Sequence, residues 1–399
     1  MGIYDELGVK RVINCVSTTT PLGSSVTYPE VMDAMKDASR YFVSMNELEA
    51  QAGRIVAEIT GAEAALITSG CYAALVLATA ACMMKGTPLE AYHPALNHPS
   101  PEREGGWLEL IQRLPDDIEG LRDEVLVQRC HRNNYCKAHN MAGARIVLTG
   151  DANGCTVEAI ERSITNRTTA IVFVGMYGHR GVSFDKVVRI AASNGIPIIV
   201  DASYTIPPRA NLRKWVAEGA TLVCHSGGKS IRGPTDTGFL VGRRDLVNLA
   251  AVQMSPHHGV GRGMKVDKTQ IVGLLTALQI YVAQDDVEEF EKRDVKCRYL
   301  LNELGKLPHV ERVERVVPKT GLIQGWPVCV VTLDEDALGM SAKSIVEELY
   351  AGNPGIWTYF GHALCPDGIT MNTQNLLEGD EVTVVQRFTE ILTGKSKSM

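Results

Sequence analysis

A chain of 399 residues is too long for one small core and fits two packed domains or one large α/β unit. With 45% hydrophobic and 22% charged residues the composition is that of a globular protein, and a net charge of -6 gives no electrostatic reason to expect nucleic acid or an anionic membrane as a partner. No apolar run approaches the roughly 20 residues that span a bilayer. The first residues lack the basic-then-apolar pattern of a secretory signal, and ten scattered cysteines form no disulfide framework. A soluble, cytoplasmic protein with reduced thiols is expected.

From about residue 50, short apolar runs alternate with amphipathic stretches. Strands are expected at 64–68, 124–128, 145–148, 169–174, 197–201, 221–225 and 238–241, with helices at 48–60, 72–84, 157–163, 184–193 and 212–218. Several strands are unbroken runs of Val, Ile and Leu, as when helices cover both faces of a sheet. The alternation argues an α/β fold with a mainly parallel, doubly wound seven-stranded sheet, whose ligands bind at the carboxyl ends of strands. After residue 250 the texture changes. A Gly/His/Pro-rich bridge from Ser255 to Gly263 leads into one long helical pattern over about 266–304. Strand-like runs at 310–317 and 328–333 and helices at 341–350 and 378–392 then suggest a smaller α+β domain. The boundaries expected are 48–252 for the large domain and 253–399 for the small one.

The chemistry concentrates at strand ends. Ser69-Gly-Cys-Tyr-Ala-Ala74 follows the first strand and opens a helix, so Ser69, Gly70 and Cys71 offer free amides and the positive end of the dipole to a phosphate. A tight turn capped by Ser69 is the plain alternative. Gln128-Arg-Cys-His-Arg-Asn133 ends the second strand, and His131 is placed to lie over a flat coenzyme ring. Cys130, His131, Cys136 and His139 match no zinc spacing, so no metal is expected. Asp201 ends the strand Ile198-Ile-Val-Asp201, and Ser203 follows it. Lys229 stands in the glycine-flanked loop Ser226-Gly-Gly-Lys229, after another buried strand. The loop is not a P-loop, because Val223 occupies the position where that motif needs glycine. An ordinary surface lysine in a turn is the alternative. A Schiff-base lysine and an acid that keeps a pyridine nitrogen protonated are what pyridoxal 5'-phosphate (PLP) chemistry requires of a protein. Hydroxyls at Ser226 and Thr235 could reach the coenzyme phosphate. The histidines His93, His98, His257 and His258 read as loop residues.

Together these residues resemble fold type I PLP enzymes, the aspartate aminotransferase superfamily, in the branch around selenocysteine synthase and D-glucosaminate-6-phosphate ammonia-lyase. The resemblance runs over nearly the whole chain. It includes Arg11-Val-Ile-Asn14, Phe42-Val-Ser-Met-Asn-Glu-Leu48, Ser69-Gly70, Gln128-Arg-Cys-His131, Ser226-Gly-Gly-Lys229, Arg232-Gly-Pro234 and Gly261-Arg-Gly-Met-Lys265. It implies a Schiff base on Lys229, a ring-nitrogen partner at Asp201, ring stacking by His131, and a homodimer or higher homo-oligomer. It also implies that residues 1–47 pack on the small domain or on a partner subunit. Many relatives clamp the substrate carboxylate with a C-terminal arginine, but no arginine lies between Val317 and Gln386. Arg262, Lys265, Arg232 and Arg180 are the replacements considered, with Arg180, His179 and Arg209 for a phosphorylated substrate and Thr19 lining the substrate side. Bulky Trp357-Thr-Tyr-Phe360 is a second departure. The expected activity is a PLP-dependent lyase that removes the α-proton and a β-substituent from a small amino acid or amino-sugar acid. A racemase, aldolase or β-lyase, or a non-catalytic PLP-binding protein, are the alternatives.

Overall fold

The computed structural model describes residues 2–93, 105–320, 323–362 and 365–394. It divides into two compact units, a larger one built around Thr27–Ala283 and a smaller one around Met1–Val26 and the chain from Gln284 onward.

The larger unit is organised by seven strands: β1 (Ala64–Thr68), β2 (Glu124–Gln128), β3 (Arg145–Thr149), β4 (Thr168–Val174), β5 (Ile198–Asp201), β6 (Leu222–Ser226) and β7 (Gly238–Gly242). They lie in the order β1-β7-β6-β5-β4-β2-β3. Only β7 runs against its neighbours β1 and β6; every other pairing is parallel. All seven residues of β4 are buried, which is why the run Thr-Thr-Ala-Ile-Val-Phe-Val shows no polar alternation. The helix Gly70–Met84 is apolar on almost every side and buried along nearly its whole length, as a helix enclosed in a core must be. Close approaches need glycine: a Cβ on Gly53 would stand 2.3 Å from the Ala65 carbonyl oxygen, so the helix Met45–Thr60 could not lie so near β1 otherwise.

The units break near 26/27 and 283/284, where the sequence reading sets 47/48 and 252/253. Packing accounts for the positions. The helix Pro29–Ala38 lies on the helix Lys268–Ala283, close enough that a Cβ on Gly273 would meet the Met35 side chain at 2.8 Å. The single helical pattern expected over 266–304 is corrected to two helices, Lys268–Ala283 and Asp286–Leu304. Asp285 ends one and starts the other, its carboxylate accepting the amides of Val287 (2.9 Å) and Glu288 (3.0 Å).

The smaller unit holds a four-stranded antiparallel sheet of β8 (Val310–Val316), β9 (Val328–Leu333), β10 (Tyr359–His362) and β11 (Cys365–Asn372), in the order β10-β11-β9-β8. The N-terminal strand Val12–Asn14 pairs in parallel with Gly355–Trp357. Ile13 and Cys15 join Leu300, Ile345, Ile369 and Phe388 in this unit's core.

Candidate active site

The parallel register brings three residues side by side at the carboxyl end of the large sheet. Asp201 of β5 pairs with Val174 of β4 on one side and Cys224 of β6 on the other. Asp201 is buried. Its Oδ1 accepts the Ser203 amide at 3.0 Å and faces Cys71 Sγ at 3.8 Å, while Oδ2 makes no hydrogen bond among the described residues. A buried carboxylate with an open oxygen is costly unless something outside the chain completes it.

Lys229 lies three residues beyond β6, and its loop is held by tight backbone contacts. The Gly227 amide donates to the Thr237 carbonyl (2.8 Å), the Gly233 amide to the Gly227 carbonyl (3.0 Å) and the Arg232 amide to the Lys229 carbonyl (3.0 Å). A Cβ on Gly228 would stand 2.5 Å from the Thr235 Cα, so the loop lies directly against the turn that carries Thr235. Lys229 is half-buried, and its Nζ makes no hydrogen bond or ion pair among the described residues; it stands 5.1 Å from the centre of the Tyr204 ring. Burial lowers its pKa, with the negative charge of Asp201 acting the other way. An amine held so is a better nucleophile and base near neutral pH than a surface lysine.

His131 is fully buried beside the same strand end. Its Nδ1 accepts the Val174 amide (3.3 Å) and its Nε2 faces the Arg180 carbonyl (3.0 Å), which fixes the neutral tautomer with the proton on Nε2. Desolvation lowers its pKa and keeps it neutral. The ring lies edge-on to Phe173 with centroids 4.9 Å apart.

The helix Gly70–Met84 starts at the same end of the sheet. Ser69 makes no side-chain cap, so the first amides of a fifteen-residue helix are left without one. Gly70 has φ +85°, and a Cβ on Gly238 would meet the Gly70 carbonyl carbon at 2.5 Å and the Cys71 amide nitrogen at 2.6 Å. Only glycines allow this turn to sit against β7. An uncapped helix start, a free amine and a buried acid with an open oxygen suit PLP, whose phosphate, aldehyde and ring nitrogen need those three partners.

The family model for L-seryl-tRNA selenium transferase (SelA) matches residues 137–314. A 5'-C-glycyluridine monooxygenase-decarboxylase from Streptomyces is 32% identical over 98% of this chain and 92% of its own length. The D-glucosaminate-6-phosphate ammonia lyase of Salmonella typhimurium is 30% identical, covering 98% of both chains. The chain belongs to the SelA family of fold type I PLP enzymes. Within that family, a solved D-glucosaminate-6-phosphate ammonia-lyase superposes with a TM-score of 0.82 at 29% identity, over 99% of each chain. The relatives named here are enzymes of different reaction types.

Of the remaining site residues expected for this chain, Ser226 and Thr235 flank the Lys229 loop, the Arg232 amide meets the Lys229 carbonyl and the Arg180 backbone meets His131. Arg180 is exposed, its guanidinium 4.8 Å from the Tyr177 ring centre and its Nε directed at His179 Nε2 (3.3 Å). Arg262 is half-buried with Nη1 3.5 Å from Ser255 Oγ, and Lys265 is exposed. Neither makes a recorded contact with Lys229 or Asp201 among the described residues. Arg209 donates to the Tyr281 carbonyl (3.0 Å), and Arg232, at φ +61°, lies 4.0 Å over the Tyr28 ring. Thr19 belongs to the smaller unit, where it precedes the short turn Thr20–Leu22. Ser226 closes β6, and Thr235 is exposed in the turn before β7.

Trp357 packs edge-on to Tyr350 (5.3 Å), and Tyr359 and Phe360 lie partly exposed on the edge strand β10. His139 is buried against the Thr79 hydroxyl (2.7 Å), and His257 lies edge-on to Tyr92 (6.5 Å). His98 lies outside the described residues. Among those, no group of three or more His, Cys, Asp or Glu side chains could hold a metal ion, and no helix is long and apolar enough to cross a membrane.

Two groups at the site escape the sequence reading. Tyr204 meets Lys229, and its signal was its place in the loop that Asp201 opens. The Cys71 thiol meets Asp201; only its backbone was considered, because a contact between a helix start and a strand end 130 residues later leaves no local trace.

Proposed function

We propose that this chain is a PLP-dependent lyase that removes the α-proton and a β-substituent from a small amino acid or amino-sugar acid of the D-glucosaminate type, giving ammonia and a 2-keto acid. The observation that carries the reading is the Lys229 amine, half-buried and without a hydrogen bond, near a buried acid with an open oxygen. PLP, when bound, supplies an electron-withdrawing ring that makes the substrate's α-carbon acidic. Lys229 Nζ would hold the coenzyme and would take and return the α-proton of the substrate. Asp201 Oδ2 would accept the ring N–H and stabilise its charge. Ser203 would hydrogen-bond the phenolic oxygen, and His131, fully buried in this structure, would cover one face of the ring only after turning out of its pocket. The amides of Gly70 and Cys71, with the hydroxyls of Ser69, Ser226 and Thr235, bind the phosphate. Arg180, Arg262 and Lys265 are the cations of the larger unit that would take the substrate's anionic groups, in place of the missing C-terminal arginine. The protein acts in the cytoplasm as a homodimer or higher homo-oligomer, without nucleic acid.

The test is ammonia and 2-keto acid release from D-glucosaminate and its 6-phosphate by the PLP-loaded protein, with Lys229→Ala as control. Equal, substrate-dependent release by both proteins would refute it. The relationship to the Streptomyces enzyme favours a second reading, an oxygen-dependent decarboxylation of an amino acid. Oxygen uptake with matching carbon dioxide release, and no keto acid from D-glucosaminate, would select that reading instead.

A further inference from the structure

Cys71 is the second residue of the helix Gly70–Met84, so its amide belongs to the uncapped helix start. Its side chain has a separate set of contacts. Sγ stands 3.3 Å from the Cys224 carbonyl oxygen and 3.8 Å from Asp201 Oδ1, so its one proton is shared between these two acceptors. Asp201 Oδ1 is thus fixed from two sides, by the Ser203 amide of its own loop and by a thiol delivered from the helix.

We propose that Cys71 is a positioning residue whose thiol fixes Asp201 Oδ1, so that Oδ2 alone is presented to the ring nitrogen of bound PLP. The inference rests on the PLP reading above. Chemistry makes the choice of thiol meaningful. Sulfur is large and a weak donor, so it fills the space behind the carboxylate while withdrawing little of its charge. A hydroxyl would donate more strongly and reduce the charge left for the ring nitrogen. A methyl group would leave Oδ1 with the Ser203 amide alone. Burial first, and the Asp201 charge second, raise the Cys71 pKa well above the usual thiol value, so the group stays a neutral donor.

The experiment uses the PLP-loaded full chain with Cys71→Ala and Cys71→Ser, both of which keep the backbone amide. Ring-nitrogen protonation is read by NMR on isotope-labelled PLP as a function of pH. The midpoint should rise in Cys71→Ala and fall in Cys71→Ser, each by about half a unit, or roughly threefold in proton affinity. A merely structural role would move both the same way or neither, and either result overturns the proposal. A second measurement needs no coenzyme. The S–H stretching band of Cys71, isolated as the Raman difference between wild type and Cys71→Ser, should shift when Asp201→Asn is introduced. An unshifted band in a protein that binds PLP would overturn the positioning role alone. A shifted band in a protein that takes up no PLP would overturn the coenzyme reading and the positioning role with it.

Discussion

The two ends of the large sheet treat buried acids in opposite ways. At the amino end of β2, Asp123 receives Arg167 through Nε (2.8 Å) and Nη2 (2.5 Å). Glu124 beside it is bonded by Arg145 and by the Thr165 hydroxyl (2.7 Å). Hydrogen bonds from Arg167 lower the Asp123 pKa, and those from Thr165 and then Arg145 lower that of Glu124. At the carboxyl end of β5, Asp201 meets no arginine among the described residues, and one oxygen is left open near an amine that also lacks a hydrogen bond among them. One end satisfies its charges and contributes stability. The other withholds partners, which is the pattern of a site completed by a ligand.

The sharpest break between the two ends is Lys229→Ala. Ammonia release should fall about a thousandfold or more, while the melting temperature of the coenzyme-free protein stays level or rises, because a half-buried amine without a partner is removed. Thermal melts beside a coupled ammonia assay check both halves. Asp201→Asn keeps the shape and removes the charge; turnover should drop by about a hundredfold or more, with little change in stability by denaturant titration. Arg167→Ala should do the reverse. It strips the partner from buried Asp123 and should lower the denaturant midpoint by a small amount, screened by the arginine's own exposure, with ammonia release per folded molecule unchanged.

The smallest effect lies in pH. Both amino-end acids titrate below the usual carboxylate range, so their contribution is complete above about pH 5 and is lost as pH falls through their folded values. Denaturant titrations down the acid range should show stability declining there, and Arg167→Ala should flatten that decline.

Much of this layout is legible in the residues. β5 is an apolar run that ends in Asp201, and β6 opens on Leu-Val-Cys and leads to Lys229, so local pattern alone places both groups at the ligand-binding end of a parallel sheet. The strands of the smaller unit are harder to read. β11 begins Cys365-Pro-Asp-Gly, turn-like residues that join a strand through the pairing of Cys365 with His362 of β10. The break at Asp285 is a cap inside a pattern that is helical on both sides. The Tyr204 ring over Lys229 and the Cys71 thiol against Asp201 are tertiary contacts, and no periodicity encodes them.

Borohydride treatment of the PLP-loaded protein, followed by peptide mapping, tests the central claim most directly. A visible absorption band that borohydride abolishes is expected, with the coenzyme then fixed to the peptide carrying Lys229 and to none in Lys229→Ala. Fixation at another lysine, or no such band with PLP in excess, would contradict it.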